Sequence, residues 1–175
     1  HKFALINFAK RQENDLALNT HFDDRLNRFS FMEEFDFVYT TLGFRSQDTS
    51  IRSLVISSTT PGEGKSTVAI NLAMAVAARG KKVLLVNADL RSSNEIYDRI
   101  VSKSDMGLSD YLALKRIDVH SLIRPSLVDR HLFVMTSGWV TNGSFRLIAS
   151  EKMKNLMQQL QEDFDLVIYD TSSLI

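Results

Sequence analysis

The chain has 175 residues, 44% hydrophobic and 24% charged, enough for one domain with a real core. Its 21 Lys and Arg balance 21 Asp and Glu, so nothing calls for a nucleic-acid partner, and the lack of cysteine excludes disulfides and thiolate chemistry and fits a reducing compartment. No apolar run is long enough to span a membrane, and the opening Phe3-Ala4-Leu5-Ile6 is too short, and too polar at its flanks, for a signal peptide.

Residues 1–30 are mixed, with Asn14-Asp15 and Asp23-Asp24 breaking any long period, and read as a leader or linker with at most short helix. The chain starts at His1, which reads as a fragment of something longer. A nucleotide-binding domain is expected over 31–175. Phe31, Phe35, Val38 and Leu42 recur at helical spacing, predicting a helix over 31–43 that packs on a sheet and stops at Gly43.

An apolar, β-branched strand over 52–58 then enters Thr59-Thr60-Pro61-Gly62-Glu63-Gly64-Lys65-Ser66-Thr67, and a helix follows over 66–79. Strand, short Gly/Pro loop and helix in that order are the layout of a phosphate-binding loop. Gly62 and Gly64 let the backbone turn so that successive N–H groups point at phosphate oxygens, and the helix start adds its positive end. Lys65 supplies a mobile charge for the outer phosphates, and the Ser66 hydroxyl can ligate Mg²⁺. Against the pattern G-x-x-x-x-G-K-[ST], Thr59 holds the first glycine's place. The helix itself (Val68, Ile70, Leu72, Ala73, Val76, Ala77) is apolar on nearly every face and is expected to be well buried, with Gly80 at its end.

Val83-Leu84-Leu85-Val86-Asn87 is a continuous apolar run, as in a parallel strand covered on both faces. Ser109 is predicted to cap a short helix with Tyr111, Leu112 and Leu114, and 118–123 to form a further helical turn before Pro125. A strand over 132–135 leads into a glycine-bearing loop over 138–146. Ser150 caps a helix with Met153, Leu156, Met157 and Leu160 on one stripe, and 165–170 is a last strand ending in a carboxylate. The alternation predicts an α/β fold of the P-loop NTPase kind: a mainly parallel β-sheet flanked by helices, with right-handed crossovers. A domain of that kind normally continues with further strands, so the C-terminus reads as truncated.

Ligands of parallel sheets sit at the carboxyl ends of strands. Asp170, after Leu166-Val167-Ile168-Tyr169, reads as the acid that holds Mg²⁺, directly or through water. Asp89, in Asn87-Ala88-Asp89-Leu90-Arg91, is placed to reach the same metal, and Arg91 to pair with phosphate or with a neighbouring subunit. The expected site is therefore Lys65, Asp89 and Asp170 for catalysis, Ser66, Asp89 and Asp170 for the metal, and 61–67 with Arg91 for ATP or ADP.

From Glu33 onward the sequence resembles the bacterial tyrosine autokinases of capsule and exopolysaccharide synthesis. The resemblance is carried, in order, by Pro61–Thr67, Gly80-Lys81-Lys82-Val83-Leu84-Leu85-Val86, Ala88-Asp89-Leu90-Arg91, Gly107-Leu108-Ser109-Asp110-Tyr111-Leu112 and Asp165-Leu166-Val167-Ile168-Tyr169-Asp170-Thr171. It implies an ATP-Mg²⁺ enzyme that phosphorylates tyrosines, mainly in the tail of a neighbouring subunit. It also implies a place at the cytoplasmic face of the membrane beside a membrane-spanning chain-length regulator, fused or separate. Three departures stand out. Asn87 replaces the first acid of Asp-x-Asp-x-Arg; Ser172-Ser173 replace two prolines; and the oligomerisation motif Glu-x-x-Arg-x-x-Arg reads Glu33, Asp36 and Tyr39. Asn87 can ligate but cannot accept a proton at neutral pH. These departures keep open a catalytically weak ATP-binding regulatory module. A partitioning-type switch ATPase is disfavoured because Thr60 stands where that branch carries lysine.

Overall fold

The structure, a computed structural model, describes residues 4–6, 33–43, 51–91, 96–114, 116–139 and 143–174. Six strands form one sheet: β1 (Ala4–Ile6), β2 (Ser53–Ile56), β3 (Val83–Asn87), β4 (Arg124–Pro125), β5 (Leu132–Met135) and β6 (Leu166–Asp170). Their spatial order is β1-β2-β6-β3-β5-β4, parallel throughout except for the short edge pairing of β4 with β5. The predicted mainly parallel α/β sheet is thus observed. Residues 1–30, expected as leader or linker, contribute β1, which pairs with β2 in the register Ala4↔Leu54 to Ile6↔Ile56.

Alternation along β3 shows why this strand reads as apolar throughout. Val83 and Leu85 join one core cluster, while Leu84 and Val86 join a second on the opposite face. The first cluster is covered by α1 (residues 33–43) and α2 (Lys65–Ala78). Phe35 of α1 packs there with Leu72, Ala73 and Val76 of α2. Because α2 also buries Ala69, Ile70, Ala75 and Ala77, its lack of an apolar stripe reflects burial on most sides. Full burial of a side chain such as Leu72 stabilises by about 2 kcal/mol.

The second cluster is covered by α3 (Leu108–Ala113), α4 (Ser144–Ile148) and α5 (Glu151–Asp163). In α5 the stripe Met153, Leu156 and Leu160 is buried, and the Ser150 hydroxyl accepts the Met153 N–H at 3.2 Å, as the sequence predicts. Around α3 the expectation needs correction: the cap is Gly107, and Ser109 lies inside the first turn. A Cβ on Gly107 would stand 2.8 Å from the Ser137 carbonyl carbon and collide with the Thr136 carbonyl oxygen. Only glycine lets the helix begin this close to the end of β5, and the Asp110 carboxylate accepts the Gly107 N–H at 2.8 Å. The turn expected over 118–123 is a 3-10 turn at Val119–Leu122, capped by Asp118. Of the loop expected over 138–146, residues 140–142 lie outside the described residues, and Ser144–Ile148 is helical.

Candidate functional site

Strand order assembles the site. The chain passes from β2 to β3 across one empty place in the sheet, and β6 later fills it. The carboxyl ends of β2, β6 and β3 therefore lie side by side, which brings the loop after Ile56 next to Asp170 and Asn87. Asn87 and Asp170 are register partners, and the Ala88 N–H donates to the Asp170 carbonyl at 2.8 Å.

The loop has the backbone that its glycines foretell. Gly62 and Gly64 sit at φ 77° and 84°, in the left-handed region, and Gly64 is the residue at which α2 begins. A Cβ would meet nothing within 4 Å at either glycine, so conformation rather than crowding selects glycine here. Lys65 and Ser66 form the first turn of α2, where the helix start and its dipole favour an anion. Glu63 shapes the other side of the loop. Its carboxylate accepts the backbone N–H of Thr59 and Thr60 at 3.1 and 3.2 Å and the Thr59 hydroxyl at 3.3 Å. The Thr60 N–H, above all, lowers the Glu63 pKa below its ordinary value.

Asp170 is fully buried. Burial raises its pKa, against the Ser66 hydroxyl, the Tyr97 hydroxyl and the Lys65 charge, which lower it, while the nearby charge of Asp89 raises it further. Lys65, Ser66 and Asp89 each lie near enough to Asp170 to act on its carboxyl. Tyr97 donates to Asp170 Oδ2 at 2.9 Å, whereas Oδ1 closes no hydrogen bond among the described residues. Ser66 is near enough to favour the charged form.

Arg91, expected to pair with phosphate or a neighbouring subunit, is engaged within the chain here. Its guanidinium donates to the Ser173 carbonyl at 2.9 Å and the Ser173 hydroxyl at 3.3 Å, and pairs with Asp89 at 3.8 Å. It ties the turn after β3 to the segment 171–174. That segment is also stitched to the end of β2: Thr171 N–H and hydroxyl each donate to the Ile56 carbonyl at 3.0 Å, and Leu174 N–H donates to Ser58 at 3.0 Å. Asp89 accepts the Arg91 N–H, and Asn87 Oδ1 accepts the Asp89 N–H, each at 3.1 Å. So β3 ends at Asn87, and residues 87–91 form consecutive side-chain-to-backbone turns.

Nucleotide and Mg²⁺ fit these residues. A hard cation takes oxygen ligands, and a buried carboxylate oxygen without a partner beside a serine hydroxyl offers two of them. Among the described residues no group of three or more His, Cys, Asp or Glu is gathered, and a cation here would take the rest of its shell from phosphate or water oxygens. Sequence reasoning missed Tyr97; an isolated tyrosine between Ile96 and Ile100 carries no local sign of a partner far along the chain.

Comparisons agree with this geometry. The AAA domain family matches residues 51–174. The tyrosine-protein kinase YwqD of Bacillus subtilis is 36% identical over 143 residues, covering 82% of this chain and 59% of its own length. The chimerical protein CapA2B2 superposes with a TM-score of 0.72 at 34% identity, over 81% of this chain and 61% of that one. The kinase domain of Escherichia coli tyrosine kinase ETK also gives a TM-score of 0.72, at 30% identity, over 81% of this chain and 55% of that one. The chain thus spans about 59% of the YwqD relative, and no helix among the described residues is long and apolar enough to cross a membrane. A glycine-shaped loop, a buried strand-end carboxylate and the family match lead to one conclusion: the chain belongs to the AAA domain family, and it is similar to kinase domains of bacterial tyrosine-protein kinases.

Proposed function

We propose that this chain is the nucleotide-binding domain of a bacterial protein-tyrosine kinase that uses ATP and Mg²⁺ and regulates exopolysaccharide or capsule polymerisation and export. The observation that supports this most is the convergence of Lys65 and Ser66, from the start of α2, on the buried carboxylate of Asp170. Residues 61–67 cradle the phosphates through backbone N–H groups, and Lys65 balances charge on the outer phosphates. Ser66, Asp170 and Asp89 would hold the cation, which when bound would neutralise charge on the transferring phosphoryl group. Asp89, the other carboxylate beside Asp170, is assigned to take the proton of the substrate hydroxyl. Arg91 acts through the segment 171–174, which it fastens over the end of β2. The domain covers 31–175, with residues 4–6 adding an edge strand. Its substrate is the tyrosine tail of a neighbouring subunit, and its partner a membrane-spanning chain-length regulator at the inner face of the membrane.

Calorimetry of ATP and ADP binding with Mg²⁺, comparing the parent with Lys65→Ala, tests this. Affinity lost in the variant supports the reading; equal affinity in two folded proteins overturns it. Asn87 favours a second reading, an ATP-binding regulatory module with little transfer: it is buried and spends its Oδ1 on the Asp89 N–H. Radiolabel transfer to a tyrosine peptide separates the two.

A further inference from the structure

Tyr97 contributes to no phosphate-loop motif, yet its hydroxyl reaches the centre of the site. The side chain is 2% exposed, and its ring lies in the core cluster beneath α2. Its backbone is equally fixed. The Tyr97 carbonyl accepts the N–H groups of Ile100 and Val101, each at 3.0 Å, closing a 3-10 turn. The Ile100 carbonyl in turn accepts from the Leu127 N–H at 2.8 Å and the Ser126 hydroxyl at 3.0 Å. Ring and backbone are thus held from two sides, and the hydroxyl has one place to point.

That place is Asp170 Oδ2, 2.9 Å away. An ionised carboxylate only accepts, so the phenol is the donor, and bonds to a charged acceptor are the stronger kind. The terminal torsion of an aspartate is broad and roughly two-fold, so an untethered carboxylate turns easily. Here one oxygen is tethered and the other, Oδ1, is buried without a hydrogen-bond partner among the described residues. A buried orphan oxygen is costly unless something else meets it.

We propose that Tyr97 is a positioning residue of the nucleotide site: its hydroxyl fixes Asp170 Oδ2 so that Oδ1 is presented to the cation that accompanies the nucleotide. The proposal rests on the functional reading above. Tyr97 touches neither nucleotide nor substrate; it acts through Asp170, as the partners of metal ligands commonly do, and loss of such a partner typically weakens metal affinity or activity by roughly ten- to a hundredfold.

Tyr97→Phe deletes the hydroxyl and keeps the ring in the core. Two isothermal titrations decide the matter for parent and variant: ADP without Mg²⁺, and ADP across a range of Mg²⁺ concentrations. The expected result is unchanged Mg²⁺-free ADP affinity in Tyr97→Phe, with the Mg²⁺ concentration for half-maximal effect raised about tenfold. A general packing defect would instead weaken both titrations together, and that outcome overturns the assignment. In an Asp170→Asn background, Tyr97→Phe is expected to leave the Mg²⁺ dependence where Asp170→Asn alone puts it; an additional shift there also overturns it. A parent that binds Mg-ADP beside a Tyr97→Phe variant of identical Mg²⁺ dependence sinks the Tyr97 role and leaves the functional reading intact. A parent with no Mg²⁺-dependent binding sinks both.

Discussion

The Nε of Arg79, just past the end of α2, stands 3.3 Å from Oδ1 of Asp36 on α1. The same guanidinium lies over the Tyr39 ring, 5.6 Å from its centroid, and donates to the Thr40 hydroxyl at 3.2 Å. Asp36 and Tyr39 are the two positions that the sequence resemblance would fill with arginines for contacts between subunits. In this chain both meet one arginine, Arg79.

Weak self-association follows. Light scattering at micromolar concentration is expected to show no stable ring. Arg79→Ala is expected to stay dissociated too, because a carboxylate cannot replace a guanidinium fork. Its stability in urea is expected to fall by only about 1 kcal/mol, since the pair is half exposed. A stable ring in either protein contradicts this account.

Asn87 gives a prediction with two signs. An aspartate there would stand in register with buried Asp170, two like charges in one strand-end pocket. Without Mg²⁺, Asn87→Asp is expected to destabilise the fold by roughly 1–3 kcal/mol, measured by thermal melting. With Mg-ATP and a tyrosine peptide, phosphotransfer is expected to rise at least severalfold, because general-base help is worth about a hundredfold or more when well placed. An unchanged or lower rate would remove the main support for the regulatory-module reading.

Glu63 offers a test by pH. Its folded pKa is lowered, chiefly by the Thr60 N–H, so the charged form is favoured in the native loop. The sign follows: its contribution is fully present above the ordinary value of 4.5 and fades as pH falls through the lower folded value. Glu63→Gln is therefore expected to bind ADP more weakly than the parent at neutral pH. The difference in melting temperature between the two is expected to close in acid, below pH 4.5. A constant difference across the acid range would assign the effect to something other than this carboxylate.

Gly107 and Gly43 form a matched pair. Gly107→Ala drives a Cβ into the backbone of 136–138, which cannot retreat without moving the end of β5. The expected loss is about 3 kcal/mol or more, or failure to fold. Gly43→Ala meets nothing within 4 Å and is expected to shift stability by less than about 1 kcal/mol in the same urea titration.

Local signals made much of this chain readable. The β-branched runs before Thr59 and Asp170, the Gly-Lys-Ser-Thr start of α2 and the Ser150 cap each declare themselves within a few residues. What stayed hidden depends on distance along the chain. Tyr97 and Asp170 are 73 positions apart and Arg91 and Ser173 are 82 apart, so neither contact leaves a periodic trace. Ser109 looked like a cap because serine is a good one; the approach of Gly107 to the end of β5 starts the helix earlier. The pairing of Ala4–Ile6 depends on which sheet edge is open, something three residues cannot announce.

β3 and β6 are buried along every residue, while the loop that leaves β2 is largely exposed and holds itself together through Glu63. The molecule is a stiff plate with a soft rim. Amide protons of 83–87 and 166–170 are expected in the slowest-exchanging set, released only by global opening, and those of Thr59, Thr60, Gly62 and Glu63 to exchange through local fluctuation. Burial rises over the few residues that separate Gly62 from Ile70, and protection is expected to rise with it. A phosphate chain bound as proposed would be held by the rim and steadied by the plate, so its release would need only the rim to loosen while the sheet stays intact.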